Sequence, residues 1–412
     1  MSRTCLAGWM VVVACIICGG MVLAQTEPAT QPQATQSQPA LQLAAVWFPL
    51  GTSRYIDCEG KQITRQKFQY VEPFFEGLAA VTRKGGGLGF IDSRGKMVIA
   101  PRFKQVQIRP DFAASGFSEG FAAVYTEERK WGFIDATGKE LAGGFDNARS
   151  FSEGLSAVKV GDKWGFIDTN GKLHIEPQFE GAAYFSEGLA RVHSGGKAGF
   201  IDHTGKFVIA PSFDAAWLFT QGVAPAQNDG KYGYINHAGE WVIAPQFESA
   251  RSFGENLAAV KSGNRWGFID KSGKFVIQPE FANVDSSGFR SGIAVVERSR
   301  PEDKPSDGED EWQEFRRDFE ARHYYIDRRG QRLFGKDFSS ASPFQNGLAQ
   351  VVYVDDSSGM ATYGYINLQG NWVWQSKPEK WNPDAFVAQL KRGVSEPVAS
   401  MPATQPADKG SD

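Results

Sequence analysis

Gly116-Phe117-Ser118-Glu119-Gly120 has the Gly-x-Ser-x-Gly spacing that can present a serine nucleophile, provided a strand-to-helix elbow and histidine and acid partners accompany it. The same Phe-Ser-Glu-Gly returns at Phe151–Gly154 and Phe185–Gly188, with no helical pattern behind any copy. It reads as a repeated turn. Asp57, Asp92, Asp135, Asp168, Asp202, Asp270 and Asp327 form a row of carboxylates of the type used for acid/base work or metal binding. Asn236 and Asn367 take the same place in two further copies. Asparagine keeps a turn-capping hydrogen bond and loses the charge, a change that a structural role tolerates. The histidines, His174, His193, His203, His237 and His323, show no ligand spacing, and His203 and His237 are equivalent turn positions one repeat apart. Neither a phosphate loop nor a dinucleotide fingerprint is present. No catalytic residue, metal site or cofactor is expected, and the chain reads as a non-enzyme.

The aromatic rows are a second kind of chemistry. Trp131, Trp164, Tyr232 and Trp266 occupy matching positions, and an exposed ladder of such rings can stack on sugars or hold cations. The same rings can instead be the packed core between units, and this is the expectation adopted. Trp217 lies outside the repeated pattern and is the better candidate for an individual surface feature. Trp312, Phe315 and Phe319 fall at helical spacing in Ser299–His323, after an acidic, proline-containing stretch from Pro301 to Glu311. These four aromatics are the candidate partner-binding residues. Ser299–His323 is expected to be a loop and short helix decorating a hairpin, with partner binding as the other reading.

The elements that carry these residues are best seen from Leu257 to Phe281. Leu257–Lys261 and Trp266–Asp270 are short apolar strands separated by the turn Ser262–Arg265, and Lys271-Ser272-Gly273 turns the chain into a third strand, Lys274–Ile277. Small turns between β-branched and aromatic runs predict a three-stranded antiparallel meander. Pro279 is expected to end the third strand, and the glycine after each tryptophan to leave room for a ring or a neighbouring backbone. Period-2 alternation places Trp266 and Phe268 on one face and Ile269 on the other, so both faces are apolar and each meander is sandwiched between neighbours.

Lys163-Trp164-Gly165-Phe166-Ile167-Asp168 and Arg265-Trp266-Gly267-Phe268-Ile269-Asp270, each followed by x-x-Gly-Lys, resemble the WG-containing (KWG) repeats of bacterial proteins. The resemblance covers roughly Leu41 to Trp374; Leu88, Ala198, Tyr232 and Tyr363 replace the tryptophan, and the first copy keeps only Tyr55-Ile56-Asp57. It implies a β-rich repeat array, often in an envelope or surface setting, and no common activity. A weaker similarity is to aromatic-rich cell-wall-binding repeats.

Nine units are read across residues 41–375, beginning near Leu43, Leu78, Phe121, Leu155, Leu189, Val223, Leu257, Ile293 and Leu348, with the insertion at 299–323 in the eighth. The array starts on a first strand and finishes on a third, so no unit is split between the ends. That phase predicts an all-β, open β-solenoid-like array; a closed β-propeller is the alternative if the segments equivalent to Phe281–Phe289 form a fourth strand. Asn382, Pro383 and Gly393 bracket an expected capping helix within 376–394.

Residues 1–24 carry Arg3, an uncharged apolar run from Cys5 and Val22-Leu23-Ala24, the pattern of a secretory signal peptide or, uncleaved, an N-terminal anchor. Lipidation at Cys15 is a third reading. Cleavage leaves Cys58 alone and excludes an intramolecular disulfide. Residues 25–40 read as a Pro/Gln/Thr linker and 395–412 as a disordered tail. With a formal net charge of −3 and no basic run, nucleic acid is not an expected partner. The expected function is an exported scaffold, periplasmic, envelope-bound or extracellular, that presents an extended surface to a protein or envelope polymer. Membrane contact would come only through an uncleaved N-terminal segment. The alternative is a carbohydrate- or peptidoglycan-binding module.

Overall fold

The computed structural model describes residues 43–46, 53–57, 59–64, 66–83, 86–104, 116–126, 128–298, 322–355 and 357–380. Leu43–Val46 and Arg54–Asp57 pair as a two-stranded sheet, hereafter the closing sheet. Eight larger antiparallel sheets follow and are numbered as blades 1 to 8. Blade 6 is representative: Ser249–Ala250, Ala258–Ser262, Arg265–Ile269 and Phe275–Phe281 lie side by side in chain order. Blades 1 to 5 begin at Tyr70, Phe117, Asn147, Gly181 and Ala215, and blades 7 and 8 at Asn283 and Ser340.

In seven of the nine units the three long strands are where the sequence predicts them; in the first and the eighth the third is reduced to a single bridge, Ile56 with Gln62 and Ile326 with Arg332. The fourth is a two-residue strand such as Asn283–Val284 in the segment after Phe281, and it joins the next sheet. Pro279 does not end the third strand. That strand runs on to Phe281 across a bulge, since Trp266 pairs with Phe281 while Phe268 pairs with Ile277. A bulge is where a ladder accommodates a residue without an N–H. It also explains Gly267: a Cβ there would lie 2.6 Å from the Ile277 carbonyl oxygen.

Both faces of every blade are used. In blade 6, Trp266, Phe268, Ile277 and Phe281 pack with Ala294, Val296 and Ile326 of blade 7. Ala258, Val260 and Ile269 turn the other way onto Tyr234, Ile243 and Phe247 of blade 5. A fully buried phenylalanine such as Phe268 contributes about 2–3 kcal/mol by its transfer from water, so these interfaces supply the stability that no isolated meander has.

The array is closed, not open. Apolar clusters join each sheet to the next from the closing sheet to blade 8. A further cluster brings Ile56 of the closing sheet against Leu348 and Tyr365 of blade 8, with Val373 and Trp374 beside them. The closing contact repeats the internal geometry. The turn glycine of one unit normally rests on the third strand of the preceding blade, as Gly205 rests on Ile175, and Gly60 rests likewise on Val373. With φ at +80° and the Val373 carbonyl where a Cβ would be, Gly60 admits no side chain. This is a β-propeller arrangement. Strand phase at the two ends pointed to an open array because each unit is contiguous in sequence; a whole first unit can nevertheless dock on a whole last one.

Among the described residues there is no helix. Of the region expected to cap the array, Glu379–Lys380 form a short strand against Met360 and Ala361, and the segment Asn382 to Gly393 lies outside the described residues. So do residues 1–42 and 299–321, which hold the N-terminal segment, the linker and most of the insertion.

Candidate functional site

The conspicuous polar letters of the repeat are fastenings. In all nine copies the Asp or Asn closing the second strand accepts the backbone N–H groups two and four residues on, as Asp202 Oδ1 does from Thr204 and Lys206 at 2.8 and 3.1 Å. Asn236 and Asn367 make the same bonds through their amide oxygens. The hydroxyls of Thr137, Thr204 and Ser272 hold Asp135, Asp202 and Asp270 below the usual carboxylate range, and the Lys172 N–H does so for Asp168.

Phe-Ser-Glu-Gly has a role that local spacing does not reveal. Glu153 and Gly154 occupy a two-residue turn with φ of 54° and 81°, the geometry of a type I′ hairpin. The carboxylate of the preceding copy, Glu119, accepts from the N–H groups of both, at 2.6 and 2.9 Å. Glu76 does the same to Glu119 and Gly120; Glu153 receives Gly188, Glu187 receives Gly222, Gln221 receives Asn256 and Glu255 receives Gly292. The serines run in parallel, Ser118, Ser152 and Ser186 each donating to the phenylalanine carbonyl of the next copy at 2.7–2.8 Å. Ser118 is therefore a blade-to-blade donor, and its Gly-x-Ser-x-Gly setting is a hairpin turn. The signal that could have revealed the latch was Glu or Gln recurring at a turn position where any polar residue would serve. His203 and His237 are half-exposed, stacked on Phe185 and Phe219 and facing Glu153 and Glu187 at 3.4 and 3.5 Å.

The aromatic row divides. Trp164 and Trp266 are 6% exposed and belong to inter-blade cores, while Trp131 and Tyr232 are partly buried against such cores. Trp217 stands apart: it is 49% exposed. Trp312, Phe315 and Phe319 lie outside the described residues.

Trp217 belongs to a position at which the copies diverge most. Its N–H bonds the carbonyl of Pro225 on the adjacent strand. The equivalent bonds join Glu72 to Ala80, Arg149 to Ala157, Arg251 to Ala259, Asp285 to Val295 and Ser342 to Gln350. In blade 4 the sizes are exchanged, with Ala183 on the first strand and Arg191 on the second. Yet the guanidinium still reaches the same feature of the following blade. Arg149 donates to Ala182 O, Arg191 to Ala216 O and Arg251 to Val284 O, at 2.6, 2.5 and 3.5 Å. Arg149 and Arg251 lie 5.2 and 4.9 Å over Trp164 and Trp266 of their own blades. Blade 4 has Ala198 in place of that tryptophan, and Arg191 lies 5.8 Å over Trp217 of the next blade. Desolvation lowers the pKa of Arg191 and of Arg251; Asp285 opposes the effect at Arg251, whereas Arg149 adds to it at Arg191. Blades 3 to 6 thus carry Arg149, Arg191, Trp217 and Arg251 in succession. An open cleft between blades 1 and 2, lined by Val98, Arg102 and Lys139, offers less, because Arg102 is bonded to the Gly138 carbonyl.

The model of the WG containing repeat matches residues 54–86, 89–128, 131–164, 164–197, 199–232, 232–266 and 266–298. No curated protein matches. Among solved structures, the chain is similar to one described as the eukaryotic initiation factor, at 9% identity and a TM-score of 0.50, over 80% of this chain and 94% of that one. It is also similar to BamB from Moraxella catarrhalis, at 12% identity and a TM-score of 0.40, over 62% and 90%. A third is the WD40 beta propeller domain of Doa1, at 11% identity and a TM-score of 0.30, over 60% and 87%. The first of these likenesses concerns the fold alone.

Proposed function

Because the chain belongs to the WG-containing repeat family, we propose that it is an exported, non-enzymatic propeller scaffold that binds a protein or polymer of the cell envelope. The observation that carries this reading is how the polar letters of the repeat are used. Serines, glutamates and aspartates that would be candidates for chemistry are bonded within a turn or to the next blade, in copy after copy. A scaffold so fastened leaves its variable cross-strand positions to meet a partner. Export rests on residues 1–24, whose charge and apolar pattern suit a signal segment.

Fractionation of cells expressing the full chain tests both halves. The expected result is a chain in the exported or envelope fraction, with a mature N-terminus at Gln25 or a retained segment, that is held on purified envelope and released by substitution at the variable positions. A cytosolic chain with an intact, unanchored N-terminus, or indifference to purified envelope, overturns it. A second reading, sugar binding, is favoured at one place by the half-exposed ring of Trp217.

A further inference from the structure

Arg191 shares its bonding with Arg251, which likewise donates to a backbone carbonyl and buries its Nε–H without an acceptor, but Arg251 has Asp285 nearby and Arg191 has Arg149 instead. One of the Arg191 N–H groups is spent on the Ala216 carbonyl, and its Nε–H is buried without an acceptor. No carboxylate among the described residues forms an ion pair with it, whereas Arg298 and Arg332 each meet Asp337. A largely desolvated cation without a counter-charge is costly, and an anion that docks there gains what water no longer supplies. The site has a second positive charge: Arg149 reaches the Ala182 carbonyl, and Ala182 is paired with Val192, the residue after Arg191. It also has a flat apolar wall. Arg191 covers one side of the Trp217 ring at 5.8 Å, and that ring is still half exposed, with the half-exposed Tyr184 on the neighbouring strand.

We propose that Arg191 and the open part of Trp217, in the field of Arg149, form a binding site for a carboxylated sugar such as a uronic acid. The carboxylate would take the guanidinium N–H groups of Arg191 not spent on Ala216, where two acceptor oxygens match the guanidinium fork. The C–H face of the pyranose would lie on the indole. The pairing accounts for two departures from the repeat at once. Arginine stands where blades 1, 2, 3 and 6 carry Ala80, Ala123, Ala157 and Ala259, and tryptophan stands at the facing position of the next blade. An acidic peptide satisfies the charge and leaves the ring bare; a neutral sugar does the reverse.

This site rests on the binding-scaffold reading and names its ligand, yet it is tested without export. Titration calorimetry of the full chain against trigalacturonate is expected to show saturable binding that weakens with salt. Arg191→Met, which keeps the volume, and Trp217→Ala, which trims an exposed ring, should each weaken it at least tenfold. Arg251→Met, whose guanidinium reaches the corresponding carbonyl from blade 6, should leave it within twofold. Unchanged melting temperatures keep the comparison valid, and Trp217→Ala serves alone if Arg191→Met does not fold. No binding, equal binding of triglutamate or of neutral trigalactose, or indifference to both substitutions overturns the site. A chain held on envelope that fails this titration loses the sugar site and keeps the scaffold reading.

Discussion

Blades 3 and 4 share a cluster of eleven buried residues running from Leu155 to Ile201, whereas among the described residues Ile56, Leu348 and Tyr365 are the buried members of the cluster joining blade 8 to the closing sheet. Both interfaces use the same device, a turn glycine on the third strand of the preceding unit, but among the described residues fewer buried apolar side chains stand behind it at the closure. The Glu-to-turn bonds run from Glu76 to Gly292. The comparison teaches that, among the described residues, a densely packed arc is closed by a smaller clasp, so its cooperativity should fail first where its two ends meet.

The largest expected effect is in the arc. Phe200→Ala removes a fully buried ring from the interface of blades 4 and 5 and should cost about 3–5 kcal/mol in chemical denaturation, with one cooperative transition. Ile56→Ala should instead cost about 2–3 kcal/mol, and hydrogen exchange should quicken first in residues 53–57 and 372–375. A uniform loss of protection around the ring would break the distinction.

Next comes pH. Glu72, beside the clasp, has its pKa pushed up to about 7 by burial, and its backbone carbonyl accepts from the buried Tyr55 hydroxyl at 2.7 Å. The folded state holds a proton there that the unfolded state releases near pH 4.5, so stability is full below that value and falls as pH rises to about 7. Glu72→Gln should therefore stabilise the chain at pH 8 by on the order of 3 kcal/mol, and not at pH 4. Parallel pH–stability curves for the two proteins would show that Glu72 is ionised in the fold.

A smaller effect separates latch from charge. Glu153→Ala removes the acceptor for the Gly188 N–H and should cost about 1 kcal/mol in urea; Glu153→Gln, mimicking Gln221, should cost less than half of that. Equal losses would mean that the charge, not the hydrogen bond, fastens the blades. Smallest is Asp202→Asn, with a melting temperature near that of the parent, against a drop of a few degrees for Asp202→Ala. Because its hydrogen bonds depress the Asp202 pKa, what that carboxylate contributes is present above pH 3.8 and lost as pH falls further, and the Asn variant should escape that loss.

The elements with a strong local signature were legible in the sequence. Asp202-x-x-Gly205 specifies its turn by bonds within five residues, and the alternation of Trp266, Phe268 and Ile269 correctly assigns them to opposite faces. Closure was not legible, because it depends on whether Ile56 finds Leu348, and nothing near either residue encodes that meeting. The fourth strands could be named as the condition for closure but not assigned, because two residues, as in Ala215–Ala216, are too few to show a period. At the candidate site, Trp217 could be singled out by its departure from the repeat. Arg191 could not, since a cation in an otherwise half-polar strand looks solvated until the next blade is laid over it.

The way Gly60 is seated has a mechanical consequence. Held by its two ends, the ring passes any load first through the contact of residues 56 and 60 with 348, 365 and 373, and only afterwards through the arc. A propeller tethered at one end alone would feel no such strain. One gripped at both would open like a bracelet, with every blade still folded.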